Sequence, residues 1–387
     1  MFIPVAVFLT AVFQPATRTD TVRATMSAII AEDSPRTPHL FGVVTGIAID
    51  SAGRVYVSDG GDARIAVFSL EGKSLATIGR KGKGPGEFEY PTGPVVGNDN
   101  ALYVRNMSAF SRFVPDPKTG MLTRFDKTFA GPGFAPWMSK SATFIDRTGR
   151  LHFPLEWGGK DGLMHFAYKR FALDGRELDS LPVPTQPTTR SGWASVQVSA
   201  GTGRMLKGLA VVPFHPLPVF TVSAVGTIIS SPSDSYLLQE YDAGGRVVRT
   251  IRRDVVAPPI PAAERADSTR ALARRIDSLK VPLEQVHGMS EEVKARKLPT
   301  TYPVFRSLST ARDGTVWARR WSASAQRNES WFDVLDATGR FLRTVVVPAD
   351  CATQPVPVIR GGVFACLSLE PETDAERVVI ARVPAMR

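Results

Sequence analysis

The chain has 387 residues, 43% of them hydrophobic, enough for one large folded unit with a substantial core. Lysine and arginine outnumber aspartate and glutamate by 47 to 37, and the formal charge of +10 favours anionic partners without naming one. The 32 glycines and 30 prolines argue against a helical protein, and two cysteines, Cys351 and Cys366, exclude a cysteine-built zinc site but allow one disulfide.

The first sixteen residues, "MFIPVAVFLTAVFQPA", are uncharged and mostly apolar, too short to span a bilayer but suited to the core of a secretory signal peptide. They lack a basic start and a clean A-x-A site, and small Ala16 is the expected cleavage point. The expected organisation is a signal peptide over 1–16 and one domain over 17–387, exported to the periplasm or exterior. No cysteine near this segment supports a lipid anchor, and no other stretch is apolar enough to cross a membrane.

From Gly46, "GIAIDSAGRVYVSDGGDARIAVFSLEGKSLATIG" breaks into four alternating apolar runs separated by glycine, aspartate and serine, the pattern of an antiparallel meander. The pattern returns from Gly93, Ser141, Phe220 and Phe305, with a partial copy from Val356. "DSAG", "DRTG" and "ARDG" turn the first strand into the second; "LEGK", "LDGR", "AGGR" and "ATGR" precede the fourth. Repeats that each need neighbours to bury their faces predict a radial array. The fold class is therefore all-β: a six-bladed β-propeller of four-stranded antiparallel blades. The sixth copy is one strand short, and "TVRATMSAIIAED" from Thr21 is placed to supply it.

Residues 256–300 break the repeat. Leu272, Ile276 and Leu279 fall at helical spacing after Pro261, and Ser290 opens a second helical stretch, predicting a helical insertion between blades four and five. The glycine-rich "GRKGKGPGEFEYPTG" over 79–93 lacks the spacing of either a nucleotide P-loop or a dinucleotide fingerprint, so it reads as a corner between blades. A tight turn at Gly361-Gly362 would set Cys366 opposite Pro355, so a bridge to Cys351 needs a bulge or a wider loop.

The run from Gly46 through "GRKGKGPGEFEYPTG" resembles an NHL-type repeat with its G-x-G-P-G-E-F linker, and "TYPVFRSLSTARDGTVWARR" is similar to the matching region of secreted bacterial six-bladed propellers. The resemblance covers nearly all of the chain after residue 38 and implies fold and export, not an activity.

In such a blade the loop between strands two and three lies on the same face as the linker to the next blade. All the irregular segments fall there, the 185–218 stretch among them, and function gathers on variable loops of a rigid scaffold. The candidate ligand-binding residues are Arg105, Asn106, Glu156, Trp157, Arg319, Arg320 and Trp321, each at or just after a second strand, joining aromatic and arginine side chains. No catalytic residue is assigned: the five histidines form no H-E-x-x-H and there is no G-x-S-x-G. Asp59 and Asp62, beside Arg64, read as loop-holding acids. The favoured reading is a non-enzymatic binding or scaffold propeller recognising a protein, peptide or glycan, with no metal and no cofactor. The alternatives are a calcium-dependent lactonase-like hydrolase, which by resemblance places a glutamate, two asparagines and an aspartate around the axis, and NHL-type nucleic-acid binding, which the export segment disfavours. Axial carboxylates would favour the hydrolase, a continuous basic stripe nucleic acid, and a side-chain-filled channel the scaffold.

Overall fold

Six four-stranded sheets succeed one another along the chain, each strand hydrogen-bonded to the next. The computed structural model describes residues 10–14, 20–31, 41–131, 143–159, 163–186, 193–199, 205–268, 286–287, 298–321 and 328–385. Blade 1 runs from Val44–Ile49 to Ser74–Ile78, blade 2 from Pro91–Val96 to Arg124–Ala130 and blade 3 from Phe144–Ile145 to Glu177–Pro182. Blade 4 runs from Val219–Val222 to Val247–Arg253 and blade 5 from Phe305–Thr310 to Phe341–Val347. Blade 6 takes Val358–Arg360, Val363–Leu369 and Glu376–Arg382, and its fourth strand is Thr25–Ile30 from the other end of the chain, antiparallel to Glu376–Arg382. The N-terminal segment closes the ring as expected.

One turn chemistry repeats. Asp50 Oδ1 accepts the amides of Ala52 and Arg54, and Arg54 Nε returns to Asp50 Oδ2 at 2.6 Å. Asp146 with Arg150, Asp242 with Arg246 and Asp336 with Arg340 repeat it. This is why D-x-x-G-R recurs: the aspartate holds the loop amides, the glycine takes the positive φ, and the arginine neutralises the carboxylate.

The core is not one cluster but six layers, one between each pair of blades. Ile65, Phe88, Leu102 and Phe113 fill the space between blades 1 and 2; Trp317, Phe332 and Phe364 fill that between blades 5 and 6. Strands so placed are covered on both faces, so Val44–Ile49 is buried throughout. Its Gly46 is required: a Cβ there would lie 2.4 Å from Pro94 Cδ of the next blade.

An arginine crosses every blade interface. Arg54 donates to the Thr119 and Gly120 carbonyls, Arg150 to Val225, Arg249 to Ala337, Arg343 to Ala385 and Arg360 to Ile49. Between blades 2 and 3 the guanidinium of Arg105 lies 4.2 Å from the Phe153 ring centroid. A planar, multi-donor cation suits a seam of exposed carbonyls, so much of the chain's arginine is structural.

In blade 3, buried Asp146 also meets His152 Nε2 at 2.9 Å. Burial works to raise the Asp146 carboxyl, but hydrogen bonds from His152, Thr148 and Arg150 outweigh it and hold it well below the usual range. Burial lowers the His152 pKa, Asp146 opposes that, and the cations Arg170 and Arg150 add to the lowering. A histidine depressed in the fold gains a proton preferentially when unfolded, so its contribution is whole above the ordinary value of 6.5 and fades as pH falls below it. The urea midpoint is expected to drop between pH 7.5 and 5.5, and H152F to show a shallower drop over the same window.

Outside the blades the insertion meets expectation in part, and the stretch before blade 4 departs from it. Within the insertion, the described residues hold one short helix over 262–268, directly after Pro261, and the two-residue strand Val286–His287. Leu272, Ile276, Leu279 and Ser290 lie outside the described residues. The stretch before blade 4, read as irregular because it breaks the repeat, forms the hairpin Trp193–Ser199 with Met205–Val211, and Val286–His287 joins its edge. Thr10–Gln14 pairs in parallel with the outer strand of blade 4 and Thr21–Arg23 with that of blade 5, so these two blades carry a fifth strand. No helix among the described residues is long and apolar enough to cross a membrane.

Cys351 and Cys366 are disulfide-bonded, with Cα atoms 5.7 Å apart. The turn does sit at Gly361-Gly362, pairing Arg360 with Val363 and Val358 with Ala365, a register that, continued, would set Cys366 against Pro357 rather than the expected Pro355. The chain before Val358 leaves the ladder, and Cys351 bridges Ser368, so the wider loop brings the thiols together.

Candidate axial binding channel

The innermost strands of the six blades surround a cavity of about 440 Å³ on the propeller axis. Ile49, Val96, Ile145, Val222, Leu308 and Ile359 give one apolar wall residue per blade. Each innermost strand ends its sheet, so one edge of its backbone has no strand partner. The hydroxyls of Thr143 and Ser309, 7% and 4% exposed, also line the cavity and have no hydrogen-bond partner among the described residues. The channel is therefore apolar in its side chains but studded with unmet polar groups.

Every innermost strand enters from the linker face and leaves at the first turn, which defines the two ends. At the turn end, Arg312 of blade 5 reaches across the axis to the Val96 carbonyl of blade 2 at 3.1 Å and to the Asn98 side chain. Asn98 Nδ2 in turn donates to the carbonyls of Asp146 and Arg147 in blade 3. Arg147 reaches the Asp313 carbonyl in blade 5. Arg360 lines the same end. Burial lowers the pKa of Arg312, with Arg360 adding to it by repulsion, and burial likewise lowers Arg360. Neither has an ion-pair partner among the described residues: Asp50 is bonded to Arg54 and Tyr56, and Asp99 to Arg112 and Tyr103. This end is a floor bearing two half-buried cations.

At the linker end stands Glu156, a lining residue with no hydrogen-bond or ion-pair partner among the described residues, its pKa raised by burial. Trp157 beside it is 48% exposed and stacks on His165. Across the ring, Trp321 donates to the Phe305 carbonyl and stacks on Tyr302, and Arg306, a lining residue, lies 5.0 Å from its ring centroid. Of the seven residues expected at a site, Glu156 lines the channel, and Trp157 and Trp321 adjoin lining residues. Arg105 is buried between blades 2 and 3 and Arg319 is buried against Asp350 at 2.7 Å, with pKa values pushed down by burial to about 10 and about 9. Asn106 accepts the amides of Glu89 and Tyr90 and so pins the linker. Arg320, half-buried at the end of Val316–Arg320, does not line the channel.

The glycine-rich linker turns from blade 1 to blade 2. Its own Glu87 takes the Gly84 amide and Arg80, and these contacts, the amide first, lower its pKa. Phe88 is fully buried, and a Cβ on Gly79, at φ +74°, would lie 2.4 Å from its ring. The loop is thus closed by its own carboxylate. Asp59 likewise accepts the amides of Gly42, Val43, Gly61 and Asp62.

The axial groups do not fit calcium. Glu156 is the one carboxylate residue lining the channel among the described residues, against Arg306, Arg312 and Arg360, and a cation on the axis would meet net repulsion. Among the described residues no three His, Cys, Asp or Glu side chains gather as a metal-ligand group.

Sequence reasoning missed Arg306, Arg312 and Arg360. For Arg312 the signal lay in aligning the first turns: their second residues are Ser51, Asn98, Arg147, Ala224 and Arg312, and three of these five form the network across the floor.

Ring, hollow axis and closed floor define a six-bladed β-propeller with a blind axial channel. A family model described as "6-bladed beta-propeller" matches residues 39–110, which span blade 1 and the first half of blade 2. No curated protein matches the sequence. Among solved structures, a Bacteroides fragilis protein described as exported is similar over 98% of this chain and 100% of its own, at 10% identity and TM-score 0.45. Virginiamycin B lyase from Staphylococcus aureus is similar over 88% and 95%, at 11% identity and TM-score 0.37. The calcium-binding protein regucalcin from Agrobacterium tumefaciens is similar over 95% and 99%, at 12% identity and TM-score 0.33.

Proposed function

We propose that this protein is an exported, non-enzymatic recognition module that admits part of a protein, peptide or glycan ligand into the axial channel through its loop-rich face. The observation that carries this is the axial channel, lined at its linker end by Leu217, Pro218 and the 353–357 segment and crossed by arginine at the other end. Pockets of a few hundred cubic ångströms with apolar walls and few polar groups are the usual form of ligand sites. A channel filled with side chains would have pointed to a pure scaffold; this one is hollow, so the recognising surface extends inward from the face. Export is supported by the apolar first sixteen residues and by the Cys351–Cys366 bridge, since such bridges persist in oxidising compartments. Loss of residues 1–16 leaves blade 4 with its four consecutive strands.

The test is a channel block. Val219 lines the channel from blade 4, half-buried at the edge of the core layer between blades 4 and 5, so a V219W substitution adds bulk at the bore and its melting is measured beside wild type. Native mass spectrometry of the protein mixed with cell-envelope extract is expected to detect a bound species on wild type that V219W loses, with unchanged melting. Equal capture by both variants would place recognition elsewhere.

A further inference from the structure

We infer that the arginine floor receives the free C-terminal carboxylate of an extended peptide inserted from the linker face. This rests on the channel reading above and adds the chemistry of the ligand.

The first ground is charge. Arg312 and Arg360 lie half-buried at the turn end without an acidic partner among the described residues. Each guanidinium has five N–H donors; Arg312 donates from Nη1 and Nη2 and Arg360 from Nη1 alone, in the bonds described above. Donors therefore remain on both for a carboxylate, which guanidinium geometry matches with paired bonds. Two cations near each other in a partly desolvated site repel, and a bound anion relieves that repulsion.

The second ground is the wall. Among the described residues the innermost strand of each blade has one backbone edge without a strand partner, and the buried Thr143 and Ser309 hydroxyls have no hydrogen-bond partner. An aliphatic chain in the bore would strip water from these groups and return no hydrogen bond to them. A peptide brings its own N–H and C=O groups and meets them, as extended segments do when they join a sheet edge. The apolar wall side chains then receive small or branched residues. At about 3.3 Å per residue, innermost strands of up to six residues give a bore that holds an extended tri- or tetrapeptide. Glu156 at the mouth faces the trailing part of the ligand, away from the carboxylate.

The experiment uses the full chain and an equimolar pool of N-acetylated tetrapeptides, offered with free C-termini or C-terminally amidated, read by native mass spectrometry and thermal shift. The free-acid pool is expected to bind at least ten-fold more tightly than the amidated pool. R360M should erase that preference, R360K should restore part of it, and V219W should abolish binding of both pools. Melting of each variant reports folding, and R360K stands in where R360M fails to fold. Equal binding of acid and amide pools, both blocked by V219W, would overturn the carboxylate inference and leave the channel reading in place. Binding of both pools unaffected by V219W would overturn the channel reading too. Decanoate binding as tightly as the acid pool would overturn the peptide assignment, and no binding by either pool would overturn the inference as a whole.

Discussion

Replacing Asp333 with alanine is expected to cost about 3–5 kcal/mol of folding stability, the loss typical of stranding one partner of a buried ion pair. Asp333 is fully buried in blade 5 and accepts Arg253 Nη1 of blade 4 at 3.1 Å through Oδ2 and Thr344 Oγ1 at 2.8 Å through Oδ1. Arg253 is almost equally buried, its guanidinium 3.6 Å from the Phe341 ring centroid, with Nε unpaired. D333A leaves that cation in the interblade layer without a counter-charge, and water cannot reach it without parting the blades. Removing both charges is a different case: R253M with D333L replaces the pair by apolar volume and should recover most of the loss. Urea unfolding of the two single variants and the double variant measures this, and a D333A value within 1 kcal/mol of wild type would show that the pair carries no stability.

The propeller was legible because its cause is local and repeated. The Asp50, Asp146, Asp242 and Asp336 turns each hold their own amides within four residues, so the signal survives in a single sequence. The closing strand was legible for a related reason: blade 6 lacked one strand, and "TMSAII" carries strand-forming residues. The site was legible only in part. Arg105 and Arg319 sit in the same pattern as Glu156, at or near the end of a second strand. What separates them lies elsewhere in the chain: Phe153 of the next blade covers Arg105, and Asp350 in the linker after blade 5 binds Arg319. The floor was harder still, because Arg312 meets Val96 and Asn98 across more than two hundred residues of sequence. Nothing local marks that encounter, and the register of one turn against its copies holds the only trace of it. The hairpin Trp193–Ser199 with Met205–Val211 was missed for the opposite reason, since it carries the alternation of a strand but stands outside the repeat that organised the reading.

Reducing the Cys351–Cys366 bridge, or replacing both residues with serine, is expected to cost about 3 kcal/mol, the chain-entropy value for a loop of about fifteen residues. The bridge joins the entry of blade 6 to its second strand, with both cysteines buried in the layer shared with Trp317, Phe332 and Phe364. Blade 6 is the one blade assembled from both ends of the chain, so its pairing with Thr25–Ile30 closes the longest loop in the fold. Loop-closure entropy opposes that step. A covalent tie within the C-terminal part of the blade limits how far it frays when the N-terminal strand lifts away. The reduced protein should therefore lose amide protection first along Glu376–Arg382 and Thr25–Ile30, while blades 2 and 3 keep theirs. Hydrogen exchange with and without reductant reads this directly. Uniform loss over all six blades would mean that the bridge acts on the whole ring and not on its closure.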